Sequence, residues 1–156
     1  CGYYGHATKA CTCTPKARLA YTAKISGPLL DRIDIHVEVP ALDYNELSRT
    51  EPAEPSAEIR SRVIAARAFA AARTEGALTC NGLMTPADIR RFCRMDDAGG
   101  RLMQTAYDKF ALSARAYDRI LKVARTAADF DKSEIIRKEH IGLALQLRSM
   151  SKKYWQ

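Results

Sequence analysis

The sequence predicts a mainly α-helical fold, in which a helical bundle follows an irregular N-terminal arm that contains one short β-strand. Hydrophobic residues make up 47% of the 156-residue chain but aromatic residues only 8%, and this balance suits close-packed helices better than a β-sandwich or barrel. From residue 56 onward apolar residues recur at helical spacing, whereas the first 55 residues contain one alternating segment. The length allows one packed domain of ordinary size.

The one predicted strand spans about residues 33–39 of the arm. Isoleucine and valine at the odd positions alternate with polar residues at the even positions, and Pro40 ends the pattern. A single strand has no partner within the arm, so we expect the rest of its sheet to lie outside this chain. Because Cys1 is not an initiator methionine either, the chain is expected to be part of a longer gene product.

A boundary is predicted between the arm and the helices. Segment 48–55 contains two prolines among small polar residues, which disfavour regular structure. Residues 1–55 carry 6 basic and 7 acidic side chains, whereas residues 56–156 carry 19 and 11 and therefore hold the positive charge of the chain. The predicted division is an arm (1–55), a helical domain (56–150) and a tail (151–156).

Five helices are predicted in the helical domain. The first is expected at about 56–73, with Ser56 as its N-cap. The second, at about 86–94, has the strongest start signal, because Thr85 as N-cap is followed by a proline and then, three residues after the cap, by Asp88. The predicted apolar face of the first helix comprises Ile59, Val63, Ala66 and Ala70.

The other three predicted helices span about 96–110, 113–130 and 138–147. Gly99-Gly100 lies near the start of the first of these, and fraying or a late start is expected there because glycine costs about 1 kcal/mol relative to alanine within a helix. The 113–130 helix has the clearest apolar stripe. That stripe comprises Tyr117, Ile120, Leu121, Ala124 and Ala128. Another face of the same helix carries Arg115, Arg119 and Lys122.

The arm also contains a candidate metal site. Four potential zinc ligands lie within 13 residues, and two nearby glycines permit tight turns. They are Cys1, His6, Cys11 and Cys13. Because Cys-x-Cys spacing is not very specific, free thiols are the alternative. Five cysteines are an odd number, which does not suit a disulfide framework and indicates the reducing cytoplasm. No apolar stretch approaches the roughly 20 residues of a membrane span.

No catalytic motif stands out. The chain contains no Gly-x-x-x-x-Gly-Lys phosphate loop, no Gly-x-Gly-x-x-Gly, no His-Glu-x-x-His and no Gly-x-Ser-x-Gly sequence. No enzyme class can therefore be assigned to the chain by itself. Its formal charge of +7 and its pI of 9.3 favour nucleic acids, nucleotide phosphates or acidic protein surfaces as partners.

Segment 25–37 is the most informative part of the sequence. It holds Arg32 directly before the predicted strand, between Asp31 and Asp34 and after a Gly-Pro turn. This segment resembles the region after the sensor-1 strand in AAA+ ATPases of the magnesium-chelatase-like ComM family. Three further segments resemble the same family, namely residues 112–129, 139–141 and 144–148.

The resemblance implies the C-terminal part of a homo-hexameric ring that uses ATP and Mg²⁺ to remodel DNA, as a helicase that promotes branch migration in natural transformation. Residues 1–55 would end the α/β core, and the helical domain would be its lid. Arg32 would be the arginine finger that acts on the neighbouring subunit's nucleotide, and Arg115 the sensor-2 arginine that acts on its own subunit's nucleotide. A planar, permanently charged guanidinium suits both roles better than lysine does. Arg119 and Lys122 are candidates for contacts with DNA or phosphate.

The resemblance also implies that essential parts lie outside this chain. The Walker A, Walker B and sensor-1 segments would all precede Cys1, so the isolated chain is expected to be inactive. The first cysteine of the family's Cys-Pro-Cys pair would precede it too, which would remove a zinc ligand.

Several alternatives stay open. Arg32 could form a surface ion pair with a neighbouring aspartate, and the basic residues of the 113–130 helix could be a solvated face. The protein could be a stand-alone basic module whose 113–130 helix enters a DNA groove. The parent could instead be the motor subunit of a true magnesium chelatase.

Overall fold

A bundle of helices forms the C-terminal part of the fold, and an arm with shorter helices precedes it. The computed structural model describes residues 1–6, 8–39, 42–48, 50–76 and 78–148. The α-helices in chain order are α1 Pro15–Thr22, α2 Gly27–Leu30, α3 Tyr44–Leu47, α4 Ser56–Arg73, α5 Pro86–Phe92, α6 Asp97–Phe110, α7 Ala114–Phe130 and α8 Lys138–Gln146. A 3₁₀ turn, Asn81–Leu83, precedes α5. The predicted mainly α fold is confirmed.

The predicted tail, 151–156, lies outside the described residues, as do the last two residues of the predicted helical domain. Among the helices that are described, none combines the length and the apolar character needed to cross a membrane.

The arm is more helical than the sequence pattern indicates. The Thr14 hydroxyl caps α1 by accepting from the Ala17 N–H at 3.3 Å, and the Ser26 hydroxyl caps α2 by accepting from the Leu29 N–H at 3.3 Å. In both helices a proline follows the cap within two residues. These start signals are present in the sequence. Helices this short show no apolar periodicity, however, and α1 buries no residue.

The five predicted helices form at the predicted places, as α4 to α8. The predicted start of α5 is a full capping box, in which the Thr85 hydroxyl accepts from the Asp88 N–H at 3.3 Å and the Asp88 carboxylate accepts from the Thr85 N–H at 2.8 Å. Ser113 caps α7 through its side chain. Ser56 is not the N-cap of α4, contrary to the prediction, because it is the first helical residue and Pro55 occupies the cap position.

The predicted fraying at Gly99-Gly100 is wrong, since α6 runs unbroken through both glycines. The Gly99 N–H donates to Oδ1 of Asp96 at 2.6 Å, so the first turn has a strong cap. Gly99 is also buried, and a Cβ built there would lie 3.4 Å from the carbonyl oxygen of Ile136. Glycine suits this position because a larger residue would crowd the capping carboxylate of Asp96 and the backbone of Ile136.

Alanine at the two glycines is expected to have opposite effects. A Cβ at position 99 would lie 2.8 Å from Oδ1 of Asp96 and displace the capping carboxylate, whereas a Cβ at position 100 meets nothing within 4 Å. Gly100→Ala should raise the free energy of unfolding by up to about 1 kcal/mol through helix propensity. Gly99→Ala should be less stable than Gly100→Ala by about 1 kcal/mol, the value of a cap. Urea unfolding of both variants measures the difference, and equal stabilities would contradict it.

Helix α7 lies at the centre of the bundle. It contacts α4, α5, α8 and the 3₁₀ turn, and α8 also packs on α6. The core consists of Met84, Ile89, Cys93, Met103, Ile120, Leu121, Ala124, Ala128, Ile136, Ile141 and Ala144. Helix α4 joins the bundle only in its second half, where Ala66 is buried. Ile59 and Val63, which the sequence pattern assigns to the same apolar face, are 44% and 38% exposed, so that part of the prediction is wrong.

A buried polar cluster connects α4, the 3₁₀ turn and α7. The Asp129 carboxylate accepts from Nε of Arg125 at 3.1 Å and from Nδ2 of Asn81 at 2.7 Å, and it also pairs with Arg73 of α4. Arg125 in turn donates to the carbonyl of Glu134 at 2.8 Å. Arg125 is 0% exposed and Asp129 is 1% exposed. Burial lowers the pKa of Arg125, and the charge of Asp129 opposes that shift. These charges can be buried because they are paired and hydrogen-bonded.

The predicted strand at 33–39 does not form. These residues have no strand pairing, and Val39 at the end of the segment is 83% exposed. The N–H of His36 donates instead to the carbonyl of Leu147, just after α8, at 2.6 Å. An alternating sequence becomes a strand only when a second strand pairs with its backbone, and the described residues supply no such strand.

Candidate functional site

Arg32 lies in the turn that follows α2. Ser26 caps α2, and Leu30 at the end of the helix is only 8% exposed, so it anchors the turn. Arg32 itself is exposed, and its Nη1 donates to the carbonyl of Pro28 at 2.9 Å. The local sequence thus holds a guanidinium at the surface on a short, anchored turn.

The two aspartates beside Arg32 are engaged with residues of α7 and its cap. Asp34 forms an ion pair with Arg119. Asp31 accepts a hydrogen bond from the Ser113 hydroxyl at 3.2 Å. Within the described part of the chain, no ion pair joins Arg32 to either aspartate. The structure therefore does not contain the ion pair that is the alternative explanation of Arg32.

Arg148, which follows α8, adds further contacts between the arm and the bundle. Its Nη1 donates to the carbonyl of Ile33 at 2.7 Å, and its Nη2 lies 3.8 Å from Oδ1 of Asp31. The side chain is 10% exposed. Burial lowers the pKa of Arg148, while the charge of Asp31 raises it. Arg148 and Ile33 are 115 positions apart in the sequence, so no local pattern predicts this contact.

Arg115 lies on the first turn of α7, beside the segment that carries Arg32. The Ser113 hydroxyl caps α7 by accepting from the Ala116 N–H at 3.1 Å, and it donates to Asp31. Asp31 directly precedes Arg32, and Ser113 lies two residues before Arg115. One hydroxyl group thus joins the segments that carry the two predicted nucleotide-binding arginines. Arg115 is exposed and has no hydrogen-bond or ion-pair partner among the residues that the structure describes.

The two other basic residues predicted on this face of α7 make intramolecular contacts. Arg119 pairs with Asp34, and Nζ of Lys122 donates to the carbonyl of Gly82 at 3.0 Å. The side chains of Arg119 and Asp34 are 28% and 50% exposed. Such a surface pair stabilises a protein by at most about 1 kcal/mol, so releasing it costs little. Contacts of Arg119 and Lys122 with DNA or phosphate stay predictions. They require that Arg119 leaves Asp34 and that Lys122 leaves the carbonyl of Gly82.

Three of the four predicted metal ligands come together at the start of the arm. We call them the cysteine cluster, which consists of Cys1, Cys11 and Cys13. Their Sγ atoms all lie within 4.8 Å of one another, and all three are free thiols. His6 does not join the cluster, because its Nδ1 accepts from the N–H groups of Thr8 and Lys9, each at 3.2 Å. The structure thus groups three of the four predicted ligands, and zinc binding stays a prediction.

The two remaining cysteines lie outside this cluster. Cys80 is exposed, whereas Cys93 is buried with its Sγ 3.8 Å from the sulfur of Met84. Burial raises the pKa of the Cys93 thiol to about 11. Cys93 is therefore a hydrophobic core residue and not a reactive thiol.

Sequence reasoning missed the residues that hold the site together. The roles of Asp34 and Arg148 depend on contacts between distant parts of the chain, for which a single sequence carries no signal. The buried pair of Arg125 and Asp129 does have a signal, because both fall on the same helical face as Leu121 at spacings of four and eight residues. A charged pair on an apolar helix face indicates a buried ion pair.

Comparison with known proteins gives two matches to family models. The model described as magnesium chelatase, subunit ChlI C-terminal, matches residues 53–148, and the model described as magnesium chelatase, subunit ChlI, matches residues 1–47. The uncharacterized protein YifB of Escherichia coli is 37% identical over 90% of this chain and 27% of its own length. The competence protein ComM of Haemophilus influenzae is 36% identical over 88% of this chain and 26% of its own length. The chain spans about a quarter of the length of these relatives.

Proposed function

The chain belongs to the magnesium-chelatase-like family that includes relatives of the ComM type, and from this premise we propose that it supplies two phosphate-binding arginines to an AAA+ ATPase. In this proposal Arg32 is the arginine finger and Arg115 is the sensor-2 residue. Residues 1–55 end the ATPase core, and residues 56–150 form the lid. The separate family matches to residues 1–47 and 53–148 support this division.

The observation that carries the proposal is the contact between the arm and the start of α7. The hydrogen bond from Ser113 to Asp31 and the ion pair of Arg119 with Asp34 hold together the segments that carry Arg32 and Arg115. Both arginines are exposed, and neither forms an ion pair within the described residues. An exposed, unpaired guanidinium is available to a phosphate group.

The chemistry of phosphoryl transfer explains why arginine is needed at both positions. Negative charge develops on the equatorial oxygens of the transferred phosphoryl group, and a positioned guanidinium stabilises that charge. Arg32 on its anchored turn would approach a nucleotide held by a neighbouring subunit, and Arg115 would bind the phosphates when the lid closes. The phosphate loop and the acidic residue that binds the metal would be supplied by the part of the ATPase outside this chain.

The described residues fit the phosphate end of ATP and not its magnesium ion. Mg²⁺ prefers carboxylate and water oxygens in octahedral geometry. The carboxylates beside Arg32 are already paired, Asp34 with Arg119 and Asp31 with Ser113 and Arg148. This supports a role in binding phosphate and leaves the metal to other segments. ATP with Mg²⁺ would supply the phosphoryl group that is transferred.

Arg115→Ala in the complete ATPase is expected to lower turnover by about 10-fold or more, because one charge-assisted bond to phosphate contributes about 1.5–3 kcal/mol. The measurement is steady-state ATP hydrolysis. Arg101→Ala on α6 is the matched control, since Arg101 is exposed and lies on another helix. A turnover of Arg115→Ala equal to that of the control would contradict the sensor-2 assignment.

The remodelled substrate is proposed to be DNA, handled by a homo-hexameric ring of the helicase type in the cytoplasm. A formal charge of +7 and the 36% identity to a protein named for competence support DNA as the partner. The family description also supports the alternative of a motor subunit of a magnesium chelatase. Stimulation of ATP hydrolysis by duplex or branched DNA would favour the first, and stimulation only by a porphyrin-binding protein subunit would favour the second.

A stand-alone DNA-binding module is the less favoured alternative. Its groove-binding element would be α7, yet α7 contacts α4, α5, α8 and the 3₁₀ turn and buries seven of its residues. A recognition helix needs a free face of several side chains, and on the basic face of α7 Arg119 and Lys122 already make intramolecular contacts. Tight binding of the isolated chain to duplex DNA, with log K falling steeply against log salt, would nevertheless revive this alternative.

A further inference from the structure

We propose that the cysteine cluster binds one zinc ion through three thiolates, and that His6 is not a ligand. This inference is independent of the ATPase proposal, because it concerns the first 13 residues of the arm and not the arginines. The proposed site consists of Cys1, Cys11 and Cys13. Its fourth coordination position is open to water or to a residue from elsewhere.

The geometry of the three sulfur atoms suits zinc. With Zn–S bonds of about 2.3 Å, a tetrahedral site has sulfur atoms about 3.8 Å apart. The Sγ atoms of Cys1 and Cys11 are 3.6 Å apart, and all three Sγ atoms lie within 4.8 Å of one another. Shifts of about 1 Å or less would complete three corners of the tetrahedron.

The local backbone brings the cluster together. Gly2 and Gly5 have φ of +83° and +80°, a conformation that other residues rarely adopt, and Gly5 lies in a turn that is closed by the hydrogen bond from the His6 N–H to the Tyr3 carbonyl at 3.1 Å. The side chains of Cys11 and Cys13 are half-buried, and Thr14 caps α1 immediately after them. Two ligands therefore lie beside the start of a helix, and the third is held against them by a glycine turn.

Disulfide bonding explains the cluster less well than metal binding does. A disulfide joins two sulfur atoms at about 2.05 Å, which would leave the third thiol of the cluster without a role. A single zinc ion uses all three thiolates. Thiolates are also the preferred ligands of zinc in structural sites.

The hydrogen bonds of His6 argue against its participation. Its Nδ1 accepts from two backbone N–H groups, of Thr8 and Lys9, so the ring proton of the neutral imidazole lies on Nε2. Ligation through Nε2 would require moving that proton to Nδ1, where it would face both donors. His6 therefore stabilises the loop between Cys1 and Cys11 and does not bind the metal.

Metal binding can be measured directly on the reduced 156-residue chain. Zn²⁺ affinity is determined in competition with a chromogenic chelator, and Co²⁺ is used as a probe whose thiolate charge-transfer absorption reports sulfur ligation. We expect one metal ion per chain. Cys11→Ser and Cys13→Ser should each weaken binding by about 100-fold or more, since loss of a group outside the ligand shell already costs about 10–100-fold.

Matched variants separate this proposal from nonspecific thiol binding. Cys80→Ser removes an exposed cysteine outside the cluster and should leave the affinity unchanged. His6→Ala should change it less than tenfold. Absence of a thiolate band with Co²⁺, or equal losses in Cys80→Ser and Cys11→Ser, would overturn the site. A loss in His6→Ala as large as that in Cys11→Ser would overturn the three-thiolate assignment.

A second readout does not depend on affinity. Lys9 lies in the loop between Cys1 and Cys11 and is exposed. Zinc should slow tryptic cleavage after Lys9 in the unaltered chain but not in Cys11→Ser, while the circular dichroism of the helices stays the same in both. Unchanged cleavage with zinc in the unaltered chain would contradict an ordering role for the metal.

Discussion

Replacing Arg32 with alanine in the complete ATPase is expected to lower turnover by about 10³–10⁵-fold, the range found when an arginine finger is removed from a phosphoryl-transfer site. ATP binding should stay within a few-fold of the original, because the proposed finger would act on a nucleotide held by another subunit. Arg32→Lys should not restore turnover, since an ammonium group lacks the planar, bidentate donors of a guanidinium. ATP hydrolysis and nucleotide affinity are measured separately on each variant.

Mixed rings test whether Arg32 acts between subunits. Arg32→Ala subunits are combined with subunits that contain Arg32 but cannot hydrolyse their own ATP. If the finger acts in trans, some interfaces in the mixture contain an intact site and an intact finger, and hydrolysis returns. Arg67→Ala is the matched control, because Arg67 is an exposed arginine of α4. Full turnover of Arg32→Ala, or no recovery in mixtures, would contradict the trans assignment.

Asp129→Ala is expected to lower the free energy of unfolding by about 3–5 kcal/mol, the cost of removing one partner from a buried ion pair. Asp129 accepts from Arg125, Arg73 and Asn81, so its loss leaves Arg125, which is 0% exposed, without its carboxylate. Total stability of a domain this size is about 5–15 kcal/mol, so this loss would be a large fraction of it. Urea unfolding followed by circular dichroism measures the loss.

A control on the same helix makes this result specific. Asp118 is a half-exposed aspartate of α7, and Asp118→Ala should change stability by about 0.5 kcal/mol or less, as is usual at the surface. Because buried pairs are screened little by salt, the loss in Asp129→Ala should persist at 1 M NaCl. Similar losses in both variants would show that the buried cluster does not stabilise the bundle.

Among the helices that could be predicted, α5 and α7 have clear local start signals. Thr85 with Asp88 begins α5, and Ser113 begins α7, through hydrogen bonds that span only three residues. The wrong predictions at 33–39 and at Gly99 have a different origin. The alternation at 33–39 needs a partner strand that the described residues do not supply, and Gly99 is accommodated by a cap and by the backbone of Ile136.

The candidate sites divide in the same way. Arg32 and Arg115 stand out through resemblance to a family, and the cysteines through their spacing. The contact that joins the two arginine-bearing segments depends on the bond from Ser113 to Asp31, residues 82 positions apart. The exclusion of His6 from the cysteine cluster depends on where its Nδ1 finds hydrogen-bond donors.

The amino-acid sequence by itself determined the helical class, the limits of α5 to α8 and the residue types available for phosphate and metal binding. These properties depend on caps, periodicity and composition, which act over a few residues. Only the tertiary structure decided that α4 is half-exposed, that Arg125 and Asp129 are buried together and that the arm attaches to α7. Burial and long-range pairing are properties of what packs against a segment, and a segment's own residues do not specify its neighbours.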